Sequence, residues 1–206
     1  MKTTNDKFST AWAPNVILVD ADFLDNVAFD FTVNFERMLE RRLPKADLCH
    51  WINCIALDGG LEPGTNEVQV HFLHSKEKEH LQFFRLTKHH DEVPKLRFKE
   101  DLNNLPFIDH IGNFRLFAFP VEKIVSAKEF FLQSMNMLAQ SDTVRRLMVV
   151  HDMSENAGQL KSICAGAKNK DITLFSMEPQ SGRGFQHQIL AYSVMSALGI
   201  RGDELP

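Results

Sequence analysis

Unbroken apolar runs alternate with helical stripes along this chain. Asn15-Val16-Ile17-Leu18-Val19-Asp20 is a short apolar run closed by an acid, the pattern of a parallel strand covered on both faces. Phe31, Phe35, Met38 and Leu39 then recur at helical spacing among polar residues, and Pro44 marks the end of that amphipathic helix. The run Trp51 to Leu57 predicts a second strand, ended by Asp58-Gly59-Gly60, and Val68 to Leu73 predicts a third. Leu81 to Leu86 suits either a hairpin partner or a helix face, because periodicity does not decide at that length.

The remainder of residues 75–110 is polar, rich in Lys and His, and reads as a flap or insertion. Phe114 to Phe119, with Pro120, is a further strand. Ser126 and Glu129 form a capping-box pattern before a helix carrying Phe130, Phe131, Met135 and Leu138. Leu147 to Val150 and Ile172 to Met177 are strands on either side of a helix with Ala157, Leu160, Cys164 and Ala167. A last helix with Ile189, Leu190, Val194 and Leu198 follows Ser181-Gly182-Arg183-Gly184 and closes at Gly199. Strand and helix alternate through the second half, which predicts a three-layer α/β/α domain over residues 1–206 with a mainly parallel, Rossmann-like sheet.

In such sheets the site lies beyond the carboxyl ends of the strands. Those ends carry Asp20 and Asp22, Asp58, Glu122, His151 with Asp152, and Glu178. Clustered carboxylates raise one another's pKa, so a cation among them is the simplest stabiliser, and hard oxygen ligands select Mg²⁺ or Mn²⁺. Each acid also has a plain structural reading. Asp58 before two glycines is turn chemistry, and Asp152 or Ser154 suits the N-cap of the following helix. Asp20 and Asp22 have no turn glycine beside them, which keeps a functional role open.

Composition narrows the class without naming a task. The 206 residues are 44% hydrophobic and 24% charged, which excludes disordered, collagenous and disulfide-scaffold classes. A net charge of −4 argues against a dedicated nucleic-acid coat, although transient action on nucleic acid is still allowed. There is no signal-like apolar stretch at the start and no run of about 18 apolar residues to span a bilayer, so no membrane partner is expected. Cys49, Cys54 and Cys164 form no C-x-x-C pair, and buried thiols in a reduced cytoplasmic protein fit best. A zinc site from Cys49, His50 and Cys54 is the sharper alternative, but it lacks a second ligand pair.

The run Val16 to Leu24, with Asp20 ending the strand, resembles the opening of the NYN and PIN-like ribonuclease folds, and residues 124–177 resemble their later half. That resemblance implies metal-dependent phosphodiester hydrolysis, with RNA or another phosphate-containing ligand as partner. It places Asp20 as first metal ligand and Asp152 as the acid after the later strand, with Glu155 a looser candidate for its partner. The enzyme reading adds Asp22 as a further ligand, His151 or Glu155 as assisting catalytic groups and Arg183 on a phosphate. The chain departs from the family in its later motif, Asp152-Met153-Ser154-Glu155, and lacks a Lys-Gly-x-Asp motif near Glu122. Asp20-x-Asp22 also resembles the opening of haloacid-dehalogenase-like phosphatases, although Leu24 departs from their pattern. More loosely, the whole chain resembles bacterial families with no assigned function. A non-catalytic α/β domain that binds a ligand or protein on the same edge is the alternative expectation.

Two further groups carry weaker signals. Gly182, Arg183 and Gly184 would form an anion nest at a helix N-terminus, or else a solvated loop. His71 and His74 fall on opposite faces of one strand and make poor co-ligands, while His89-His90-Asp91 lie in the polar stretch.

Overall fold

Val16, Ile17, Leu18 and Val19 are all fully buried, as a strand covered on both faces requires. They form β1 (Asn15–Asp20), in a computed structural model that describes residues 12–86, 96–122, 126–154 and 156–205. Asp20 caps α1 (Ala21–Leu39), and the chain then forms β2 (Ala46–Asp47) and α2 (Leu48–Asp58). β3 (Asn66–Ser75) returns to lie beside β1. Short strands β4 (His80–Leu81), β5 (Phe84–Arg85) and β6 (Leu96–Arg97) precede a single π-helical turn at Phe98–Leu102. A hairpin of β7 (Leu105–Asp109) and β8 (Gly112–Val121) leads to α3 (Ala127–Gln140), whose capping box joins Ser126 and Glu129. β9 (Arg146–Val150), α4 (Ala157–Gly166), β10 (Asp171–Ser176), β11 (Gln186–Ile189) and α5 (Leu190–Ala197) complete the main elements.

The main sheet has seven strands in the order β11-β10-β9-β1-β3-β8-β7. Every pairing is parallel except the β7–β8 hairpin. Residue parity divides the core in two. Ile17, Val19, Met148 and Val150 pack with α1, α2 and α5 on one face. Val16, Leu18, Leu147 and Val149 pack with α3 and α4 on the other. The α/β architecture with helices on both faces agrees with the sequence pattern.

Three expected elements differ. Trp51 to Leu57 is not a strand but the body of α2. Leu48, Trp51, Ile52, Ile55 and Ala56 are its buried residues, a helical stripe that starts before the apolar run, and Asp47 caps it through the His50 amide. Asp58 therefore ends a helix and does not belong to the carboxyl edge of the sheet. The polar stretch contains β7, the small β4–β6 ladder and β5, which pairs with β2 from outside it, while His89, His90 and Asp91 lie outside the described residues. Finally, Gln186 to Ile189 extend the sheet as β11 before α5 begins, so Gly182, Arg183 and Gly184 precede a strand and not a helix.

His71 and His74 do face opposite sides of β3. His74 stacks on Phe98 at 3.9 Å between ring centroids, whereas His71 meets Phe117 and Phe119 edge-on. Burial holds the His71 imidazole down to about 4. The unfolded chain binds that proton near pH 6.5, so His71 favours folding fully above about 6.5. Its contribution, on the order of 3 kcal/mol, is lost as pH falls from about 6.5 towards 4. Urea unfolding of wild type and His71→Leu across this window should show a flatter pH dependence in the variant. An unchanged slope would assign the dependence to other groups.

Candidate functional site

Connections run in opposite directions from the middle of the sheet. From β1 the chain crosses to β3 by way of α1 and α2 on one face, and from β9 it crosses to β10 by way of α4 on the other. The crevice outside β1 and β9 is therefore the topological switch point, where open α/β sheets place their ligands. Asp20 and His151 stand there.

Register explains why they meet. Val19 is paired with Val150 across the parallel ladder, so the next residues, Asp20 and His151, leave the two strands side by side. Asp20 Oδ2 lies 2.8 Å from His151 Nδ1, and its Oδ1 accepts the Phe23 amide as the N-cap of α1. An ionised carboxylate only accepts, so Nδ1 carries the proton. In the neutral ring Nε2 is then the acceptor, and it takes the Asn156 amide N–H at 3.0 Å. Phe131 of α3 stacks on the imidazole at 4.0 Å.

Asn156 occupies the N-cap position of α4 but makes no capping hydrogen bond, because its side chain turns to His151 instead. Its Oδ1 is buried and has no hydrogen-bond partner. Such an orphan acceptor is costly in a folded protein, by about 1–3 kcal/mol. The edge thus combines an Asp–His–Asn hydrogen-bond chain with two buried acceptors that lack a donor, Asn156 Oδ1 and Asp22 Oδ1.

The other carboxylates of this edge have separate attachments. Asp22 Oδ2 accepts the Ser75 amide, and its Oδ1 has only the Lys78 ammonium, 3.9 Å away. Asp25, one turn on, is 2% exposed and accepts the Gln82 and Phe83 amides while pairing with Lys78 at 3.0 Å. These two acids tie residues 75–83 to α1. Asp152 is exposed and accepts the Ser154 amide, and Glu122 pairs with Lys76 on the surface. Glu155 lies outside the described residues. Asp20 is brought to His151, while Asp22 and Asp152 each bind a different backbone amide.

Both oxygens of Asp20, one of Asp22 and one of Asp152 accept protein N–H groups, while the buried Asp22 Oδ1 has no hydrogen-bond partner. Among the described residues no group of three or more His, Cys, Asp and Glu side chains is arranged to hold a metal ion.

Gly182, Arg183 and Gly184 are exposed on the connection from β10 to β11. Gly184 adopts φ +81°, and a Cβ there would fall 2.4 Å from the Cys164 carbonyl oxygen, so this glycine lets the connection pass close over α4. Two cavities lie away from the switch point. One, about 350 Å³, runs between α3 and α4 beside Asn136, Gln140 and Gln159. The other, about 470 Å³, is at the amino edge beside Arg145, Lys168 and Lys170.

Asn156, Phe131 and Lys78 were not legible as site residues. Asn156 had one available signal, a good N-capping residue directly before a helical stripe, but that signal predicts a cap and not a partner for His151.

A family model described as "Family of unknown function (DUF6621)" matches residues 9–205, and that match carries no link to the NYN or PIN-like nucleases. No curated protein and no solved structure matches the chain significantly. Among the described residues no helix is long and apolar enough to cross a membrane.

Asp20→Ala removes the α1 cap and strands the His151 N–H, and should cost about 2–4 kcal/mol. His151→Ala should cost a similar amount, and the pair should couple by about 1 kcal/mol or more in a double-mutant cycle followed by urea unfolding. Strict additivity would show that the Asp20–His151 bond contributes nothing to stability.

Proposed function

The chain belongs to DUF6621, a family of unknown function, and from that premise we propose that it is a non-catalytic binding domain that receives a basic peptide segment across the switch-point edge. One observation carries the reading. Asp20 and Asp152 accept protein N–H groups, while two buried acceptors of this edge, Asp22 Oδ1 and Asn156 Oδ1, have no hydrogen-bond donor. A cationic partner meets the negative charge of Asp20 and Asp152 with its own Lys or Arg groups, and by opening the edge as it docks it brings donors to those two acceptors. The net charge of −4 favours a cationic partner over RNA or another polyanion.

Metal-dependent phosphodiester hydrolysis is the competing reading. It requires Asp20, Asp22 and Asp152 to turn their remaining lone pairs, the unpartnered Asp22 Oδ1 among them, to one Mg²⁺ or Mn²⁺, and His151 to release Asn156 before acting as a base. The same chain and the same edge therefore give opposite expectations.

Fluorescence anisotropy with labelled Arg/Lys-rich and Asp/Glu-rich peptides of equal length separates them. The basic peptide should bind with an affinity that falls as salt rises, and Asn156→Ala should weaken it. Millimolar Mg²⁺ or Mn²⁺ should leave the melting temperature unchanged. Equal binding of both peptides would overturn the proposal. Metal-dependent stabilisation with RNA hydrolysis, lost in Asp20→Asn, would replace it with the phosphodiesterase reading.

A further inference from the structure

A second chemically distinctive cluster lies where α2 packs on α5, in the helical layer on the opposite face of the sheet from the Phe131–His151 stack. His50 and Cys54 are one helical turn apart on α2, so their side chains share a face. Cys54 Sγ is 3.7 Å from His50 Nε2. Ser196 of α5 completes the group, its Oγ 2.8 Å from His50 Nε2 and 4.0 Å from Cys54 Sγ.

These separations carry chemical meaning. A tetrahedral zinc ion takes sulfur at about 2.3 Å and imidazole nitrogen at about 2.0–2.1 Å, which puts the two donors about 3.6 Å apart. His50 and Cys54 hold that spacing in the folded chain. His50 is exposed and Cys54 half-buried, so an ion from solvent reaches both. Asp58 lies one turn beyond Cys54 and adds negative charge next to the thiol. Cys49, by contrast, is buried in the core on another face of α2.

We propose that His50 and Cys54 form an open binding site for a thiophilic d¹⁰ cation, Zn²⁺ in particular, with Ser196 at its margin. Binding replaces the Cys54 S–H bond by an S–metal bond and releases the proton to solvent, while the neutral His50 ring gives its Nε2 lone pair. The ion takes the place of the His50–Ser196 hydrogen bond. Two protein ligands leave the remaining positions to water or an external donor, so the ion is exchangeable and not structural. Burial pushes the Cys54 thiol above its ordinary value, which keeps it protonated and unreactive until a metal competes for the sulfur. This site is independent of the switch-point edge and its test does not involve peptide binding.

Cd²⁺ titration of the reduced full chain, followed through the ultraviolet thiolate-to-cadmium band, tests the assignment, with Zn²⁺ competition as the second reading. Wild type and the Cys49→Ser and Cys164→Ser variants should bind one ion with the same affinity. Cys54→Ser should abolish the band. His50→Ala, at an exposed position that leaves the fold intact, should weaken binding roughly tenfold or more. Undiminished affinity in His50→Ala would reduce the site to a lone thiol and overturn the proposal. A band that survives Cys54→Ser, or that Zn²⁺ fails to displace, would overturn it as well.

Discussion

Much of this structure turns on one side chain at the end of the central strand. Asp20 ends β1, caps α1 with one oxygen and holds His151 with the other. The first bond fixes where the helical layer of α1 begins. The second joins β1 to the end of β9 across the line where the connections change direction. Because β1 is buried on both faces, its carboxyl end is the first place along this strand where a charge is tolerable. Burial and capping thus select the same residue, and the His151 bond uses the oxygen that capping leaves over.

The acids at this edge were legible, but their pairing was not. Asp20 and His151 both stand out as polar residues ending apolar strands. An expectation built on carboxylate chemistry joins Asp20 to Asp152, one residue beyond the true partner. In a sheet that single step matters, because neighbouring residues point to opposite faces. Val19 beside Val150 puts His151 next to Asp20, on the face of Leu18 and Val149, where Phe131 of α3 covers the ring. Sequence without register cannot supply that parity. Asn156 was hidden for another reason, since its side chain leaves the helix end that its position suggests.

The legibility of the fold follows how much each element depends on its own residues. β1, β9 and β10 are apolar because both faces are covered, and the Ser126–Glu129 box is a local device that needs no tertiary partner. α2 misled because its two buried rows merge into an almost unbroken apolar run between Trp51 and Leu57, and the helical stripe shows only when Leu48 is included. β7 and β11 escaped notice at the two edges of the sheet. An edge strand gains its identity from the neighbour it pairs with, and β11, with Gln186, His187 and Gln188, has little apolar pattern of its own.

Length sets a last constraint on the helix that Asp20 starts. The 19 residues of α1 extend about 28 Å, against roughly 20 Å for the six of β1 beside it. α1 therefore outruns its strand, and from Phe29 onward none of its residues is fully buried. Its second half is held by other means. Phe29 meets Phe83 at 5.1 Å, Phe31 meets Phe35 at 5.5 Å, and Glu36 accepts the Leu43 amide beyond the helix end. Just past the helix, Arg41 forks onto Glu204, tying the end of α1 to the last described residues. The Phe83 contact lies in the same segment that Asp22 and Asp25 hold by its backbone amides. One helix therefore positions the switch-point acid at its start and the 75–83 segment along its flank, so a disturbance of α1 reaches both.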